Sequence, residues 1–234
     1  MIYIVPLAGP DIVQADGTIK PLINIKERPL IDEVVKTRIW WREQVIKSED
    51  IIFILRSDIP EFKIIEAHLQ KEYCGCSIVF INKQTRGALL TALVGAALAQ
   101  KYDEILCVDL VDIIYDMNIE AIEEFITNPE LAGMIPWFKS NEPCFSYLEI
   151  NEQGHVTKTK EKAVISKYAS AGTYFYKNIA TFIEAVLYSL KHEENVSYKN
   201  SLFLCPSYNG IIRRGGIVTN VEVKNINALS KFFH

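Results

Sequence analysis

No stretch of this sequence gathers lysine and arginine into a stripe able to track a phosphate backbone, which argues against a nucleic-acid partner. Its densest basic cluster, Lys158, Lys160, Lys162 and Lys167, is interleaved with Glu161 and reads as a solvated edge. No apolar run approaches the length of a membrane span, so no membrane partner is expected. The five cysteines, at 74, 76, 107, 144 and 205, lack the paired spacing of zinc ligands, and Cys74-Gly75-Cys76 is too tight for C-x-x-C chemistry. Cys107 falls inside an apolar run and reads as a small buried side chain. The histidines are scattered and suggest no shared site. A basic segment leading into an apolar one is missing at the start, and the expected compartment is a reducing cytoplasm. No linker rich in proline, glycine or serine and no repeat divides the chain, so one domain over residues 1–234 is expected. What is there is ordinary for a globular protein: 49% hydrophobic and 23% charged residues, with a net charge of −4.

The first half alternates strand and helix patterns, the signature of βαβ units on a parallel sheet. Strands are expected at 2–7, 50–56, 76–82 and 105–108, and helices at 30–44, 61–73 and 87–100. The apolar middle of 50–56 suits a strand buried on both faces. The second half changes character. Strands are expected at 134–138, 145–150, 155–157, 169–176 and 217–223, with a helix at 179–190 and another at the C-terminus. The turn at 151–154 makes an antiparallel hairpin of two of these.

Ligands of open α/β sheets bind beyond the carboxyl ends of the strands. That rule selects Ala8-Gly9, Gln84 to Gly87, and Asp109 to Asp112, all of which follow strand ends. A strand running into a Gly-containing loop, with Lys20 soon after, lets backbone N–H groups and one ammonium converge on phosphates. Thr85 and Gly87 also read as a helix N-cap and a close-packing glycine. Asp109 and Asp112 also read as caps of a strand end and the following helix, and they stand one position too far apart for Asp-x-Asp.

The opening IYIVPLAGPDIVQADGTIKPLINIKERPLID, then Thr85-Arg86-Gly87-Ala88-Leu89, then ILCVDLVDIIY, then Glu161-Lys162 ahead of Ala169-Ser170-Ala171-Gly172 resemble the sugar-nucleotidyltransferase family. These pyrophosphorylases join a nucleoside triphosphate to a sugar phosphate. The resemblance runs over nearly the whole chain in the right order. It implies an α/β fold, a mixed and mostly parallel sheet flanked by helices on both faces. It also implies transfer of a nucleoside monophosphate to a sugar phosphate or other small phosphorylated metabolite, with release of pyrophosphate. Carried over by position, Lys20 and Lys162 become the catalytic lysines, and Leu7, Ala8, Gly9, Gln84, Thr85, Gly87 and Asp112 the nucleotide contacts. Glu161 and Gly172 fall to the acceptor, and Asp109, Asp112 and Glu222 to a magnesium ion. A homo-oligomer stays open. Tyr208-Asn209 with Arg213-Arg214-Gly215 matches a structural stretch between the family's last helix and its closing strand.

Three departures accompany the match. No arginine stands between Gly9 and Lys20, where the family grips the triphosphate and this chain has Pro10-Asp11-Ile12-Val13-Gln14. Aligned without gaps on Ile113-Ile114-Tyr115, the first metal aspartate is replaced by Val111. Glu222 is in register with the second, and a Gly-Thr-Pro turn is replaced by Lys224-Asn225-Ile226. All three fall on catalytic positions, so the alternative is a homologue that binds a nucleotide or sugar phosphate without transferring it. A glycosyltransferase is a distant third.

Overall fold

Six residues at the start, Ile2–Leu7, form strand β1 and are buried nearly throughout. Tyr3, Val5 and Leu7 pack into one apolar core, and Ile2 and Ile4 into another, as the two-residue repeat of a strand covered on both faces requires. The computed structural model describes residues 1–25 and 27–228. After β1 come a short hairpin, β2 (Asn24–Ile25) and β3 (Arg28–Pro29), and the helices α1 (Leu30–Thr37) and α2 (Ile39–Arg42). Then follow β4 (Ile51–Arg56), α3 (Phe62–Glu72), β5 (Ser77–Ile81), α4 (Ala88–Leu98), β6 (Leu106–Asp109), β7 (Ile113–Asp116) and α5 (Ile119–Thr127). The later strands are β8 (Leu131–Lys139), β9 (Tyr147–Ile150), β10 (Val156–Lys160), β11 (Tyr168–Ser170) and β12 (Thr173–Tyr176). Helices α6 (Ile179–Lys191), α7 (Glu193–Val196) and α8 (Leu204–Arg213) precede β13 (Ile217–Glu222) and β14 (Lys224–Ala228).

The main sheet runs β5-β4-β1-β6-β12-β8-β11-β9-β10, with β13 beside β8. Strands β5, β4, β1 and β6 are mutually parallel, and β12 turns the sheet antiparallel at β6. This is the expected mixed α/β sheet. Residues of α1, α2, α3 and α5 fill the core on the Tyr3 face, and those of α4, α6 and α8 the core on the Ile4 face. No helix among the described residues is long and apolar enough to cross a membrane.

Three expectations need correction. The single helix at 30–44 is two, divided at Arg38, whose backbone is extended (φ −59°, ψ 133°) because its side chain turns inward to a buried carboxylate. The single strand at 169–176 is also two, β11 and β12. Gly172 between them sits at φ +76°, a left-handed conformation that glycine adopts without penalty. Where a C-terminal helix was expected, residues 224–228 form β14, paired with β7; the remainder, residues 229–234, lies outside the described residues. Tyr208 and Asn209 lie inside α8, the last helix before β13, rather than between the last helix and the closing strand, and their hydrogen bonds are to backbone. The Asn209 amide exchanges two hydrogen bonds of 2.9 Å with the backbone of Thr159, and Tyr208 donates to the Phe175 carbonyl at 2.7 Å.

Candidate active site

A cavity of about 600 Å³ opens over the carboxyl ends of β1 and β6. Leu7, Ala8, Gly9, Lys20, Gln84, Thr85, Gly87, Asp112, Glu161, Lys162 and Gly172 all line it. The structure thus brings together every residue carried over from the family except Asp109 and Glu222. Its volume suits a nucleotide-sized ligand.

The loop after β1 places Lys20. Val13 bridges to Ile19, and the Lys20 N–H donates to the Ile12 carbonyl at 2.9 Å, so the chain returns to the strand end it left. There the Lys20 ammonium, mostly buried, lies between two carboxylates, Asp11 and Asp112, the latter at 2.8 Å. Burial works against its charge, but Asp112 and Asp11 outweigh it and raise its pKa. The cavity walls push the Asp112 carboxyl up, with Lys20 pulling the other way.

Asp109 is close in sequence and different in place. Its carboxylate is sealed, receiving Arg38 Nε at 2.7 Å, Arg38 Nη2 at 3.0 Å, the Tyr3 hydroxyl at 2.9 Å and the Val111 N–H at 2.9 Å. The guanidinium also lies 3.9 Å from the centroid of the Tyr115 ring. Asp109 is therefore a structural counter-ion rather than the metal ligand expected. Val111, between the two aspartates, sits at φ +52° with its side chain in the core, a conformation that a β-branched residue rarely adopts. This turn puts Asp112 in the cavity. Asp112, one residue beyond the ungapped alignment, is thus the aspartate of this turn that lines the cavity.

Glu222 is also displaced from its expected role. It lies at the end of β13, half-exposed, 3.3 Å from Lys139 and away from the cavity.

On the opposite wall, successive residues Glu161 and Lys162 both reach the cavity. In an extended strand they would face opposite ways, but Lys162 is left-handed at φ +47°. Glu161 is buried and accepts a hydrogen bond from Ser146. Burial pushes its carboxyl up to about 6, against the opposing pull of Ser146 and Lys162. Lys162 Nζ stands 5.4 Å from the centroid of the Tyr198 ring. Ser146, Ser170 and Tyr174 complete a hydroxyl-rich corner, with Ser170 donating to the Tyr174 hydroxyl at 3.0 Å.

Thr85 does not cap α4 through an N–H. Its hydroxyl donates to the Gly87 carbonyl at 2.9 Å and meets Thr91 Oγ1 at 2.6 Å. Gly87 has a packing reason as well: a Cβ there would come within 2.2 Å of the Leu202 carbonyl oxygen.

Sequence reasoning missed Asp11, Ser146, Ser170 and Tyr174 as cavity residues. Asp11 carried a signal, a charge two positions past Gly9 in a loop already marked for phosphate, and Ser170 stood in the stretch that also holds Gly172.

Among the described residues no three His, Cys, Asp or Glu side chains converge tightly enough to hold a metal ion unaided. Asp112 is a hard oxygen donor on the cavity wall, and magnesium accepts one or two carboxylates completed by ligand phosphate oxygens. The donor set fits magnesium on those terms.

Such a sheet, with two lysines and a carboxylate lining one cavity over the ends of its parallel strands, defines an α/β protein with a charged cleft at its strand ends. Residues 16–203, well over half of the chain, match the nucleotidyl transferase family, and the chain belongs to that family of enzymes. Members of the family generally use divalent metal ions. No curated protein matches the sequence. Among solved structures, it is similar to a nucleoside-diphosphate-sugar pyrophosphorylase from Vibrio cholerae RC9. That match has a TM-score of 0.79 and 16% identity, over 96% of this chain and 94% of the other. An inositol-1-phosphate CTP transferase from T. maritima superposes with a TM-score of 0.70 and 14% identity, over 96% of this chain and 86% of its own. At such identities these matches establish a shared fold.

Proposed function

We propose that this protein transfers a nucleoside monophosphate from a nucleoside triphosphate to a sugar phosphate or other small phosphorylated metabolite. The observation that carries the proposal is the convergence of Lys20, Asp112 and Lys162 in one cavity at the end of β1 and β6. Lys162 and the hydroxyl corner around Glu161 suit a phosphorylated acceptor, and Lys20 with the Ala8-Gly9 backbone suits the triphosphate.

In the reaction an acceptor phosphate oxygen attacks the α-phosphorus in line. The new P–O bond forms as the bond to the β-phosphate bridging oxygen breaks, and that oxygen leaves with the electron pair as pyrophosphate. No side-chain nucleophile is required, so the chain's part is positioning and charge neutralisation. Lys20 offsets charge on the triphosphate and Lys162 holds the attacking phosphate. A magnesium ion, held by Asp112 and phosphate oxygens, would supply further neutralisation of developing charge.

Pyrophosphate release with the four common nucleoside triphosphates, each paired with a panel of sugar phosphates and phosphorylated polyols, tests the proposal. At least one pair is expected to turn over, with loss on chelation of divalent metal. The missing loop arginine favours a second reading, ligand binding without transfer. Clear nucleotide binding with no turnover for any pair would select it.

A further inference from the structure

Asp11 touches the cavity in a way the proposed reaction does not use. Its side chain is nearly half exposed, yet its carboxylate folds back into the cavity and pairs with Lys20, whose side chain is only 10% exposed. On the way it lies against Gly9, where an added Cβ would meet Asp11 Oδ1 at 2.7 Å. A carboxylate thus covers the strand-end glycine and occupies the ammonium at the spot where a phosphate would dock.

The two carboxylates on Lys20 are not equivalent. Asp112 follows Val111, whose side chain is in the core, and is the less exposed of the two, 34% against 44% for Asp11. Asp11 stands in a turn between exposed Pro10 and buried Ile12 and can leave by rotating its own half-exposed side chain. Together they place two negative charges around one positive charge. A ligand that offers Lys20 a carboxylate gains little by exchanging it for the carboxylate of Asp11, whereas a chain of phosphates brings several charged oxygens to the same ammonium.

We propose that Asp11 is the resident anion of the phosphate seat: it holds Lys20 in the empty cavity, yields to an entering polyphosphate, and so excludes weaker anions. Asp11 is then a specificity-determining residue that sets the anionic strength a ligand must have. The proposal rests on reading the cavity as a phosphate site.

Calorimetric titration at fixed ionic strength, with tripolyphosphate and citrate as probes, tests it on the full chain. Asp11→Asn keeps the size of the side chain and removes its charge. The variant should bind tripolyphosphate about tenfold more tightly than the parent, and citrate should begin to bind. The gain should vanish when Lys20→Met is added, which separates displacement at Lys20 from a general change in surface charge. Equal tripolyphosphate affinity in parent and Asp11→Asn overturns the proposal, as does a gain that survives Lys20→Met or the absence of binding to either protein. Circular dichroism of each variant confirms the fold. None of these readouts needs turnover. A gain in Asp11→Asn with no pyrophosphate release from any substrate pair upholds this inference and defeats the transfer reading, and the reverse pattern defeats this inference alone.

Discussion

Two cation–carboxylate pairs meet near the end of β6, and they differ in almost every property but their chemistry. Arg38 and Asp109 are sealed, with side-chain exposures of 0% and 1%, while Lys20 and Asp112 stand at 10% and 34% in the wall of a cavity. Asp109 has each oxygen engaged by donors of the protein itself. Asp112 shares one oxygen with an ammonium and faces open space. The contrast shows that what an aspartate does at a strand end is decided by the donors the fold supplies. The sealed pair is closed off by the protein's own donors and the open pair faces the cavity.

Breaking the sealed pair should have the largest effect. Removing one partner of a buried ion pair leaves an uncompensated charge, so Arg38→Met should lower the unfolding free energy by about 3–5 kcal/mol in urea denaturation. The double variant Arg38→Met, Asp109→Leu should recover part of that loss, because no buried charge then remains.

The open pair should respond in the opposite sense. Asp112→Asn should change stability by less than about 1 kcal/mol but reduce turnover roughly a hundredfold to a thousandfold, the cost of one lost electrostatic contact. Should Asp112→Asn unfold the protein as Arg38→Met does, the contrast between the pairs collapses.

The smallest effect concerns Glu161, a carboxylate that belongs to the cavity yet is buried. Its pKa of about 6 lies above the ordinary 4.5, so between those values the folded chain holds more protons than the unfolded one. Stability is then greatest below pH 4.5 as far as this group is concerned, and falls by about 2 kcal/mol as pH rises through 6. Denaturation midpoints between pH 4.5 and 7.5 should show this slope in the parent and lose it in Glu161→Gln.

The parallel half of the sheet was legible because strands covered on both faces are written as unbroken apolar runs, as in 51–55. The cavity was legible for a related reason: loops that follow strand ends must lie along one edge. Arg38 was not legible. At helical spacing it reads as one more exposed charge, and its partner is 71 positions away. Nor does the sequence announce that Val111 takes a left-handed backbone, since a β-branched side chain argues against it. Local pattern gave too little for residues 224–228, whose strand depends on pairing with β7.

The pairing of β13 with β8 has a consequence during synthesis. From Leu131 to Trp137 one edge of β8 is matched, among the described residues, by Ile217–Glu222, which leave the ribosome long after β12 and β11 have covered the other edge. At ordinary elongation rates of about 5–20 residues per second the growing polypeptide waits several seconds with that edge bare. An unpaired strand edge is a template for joining another chain. Crowded polysomes translating this message therefore hold a window in which neighbouring copies can pair through β8, and it closes when β13 docks.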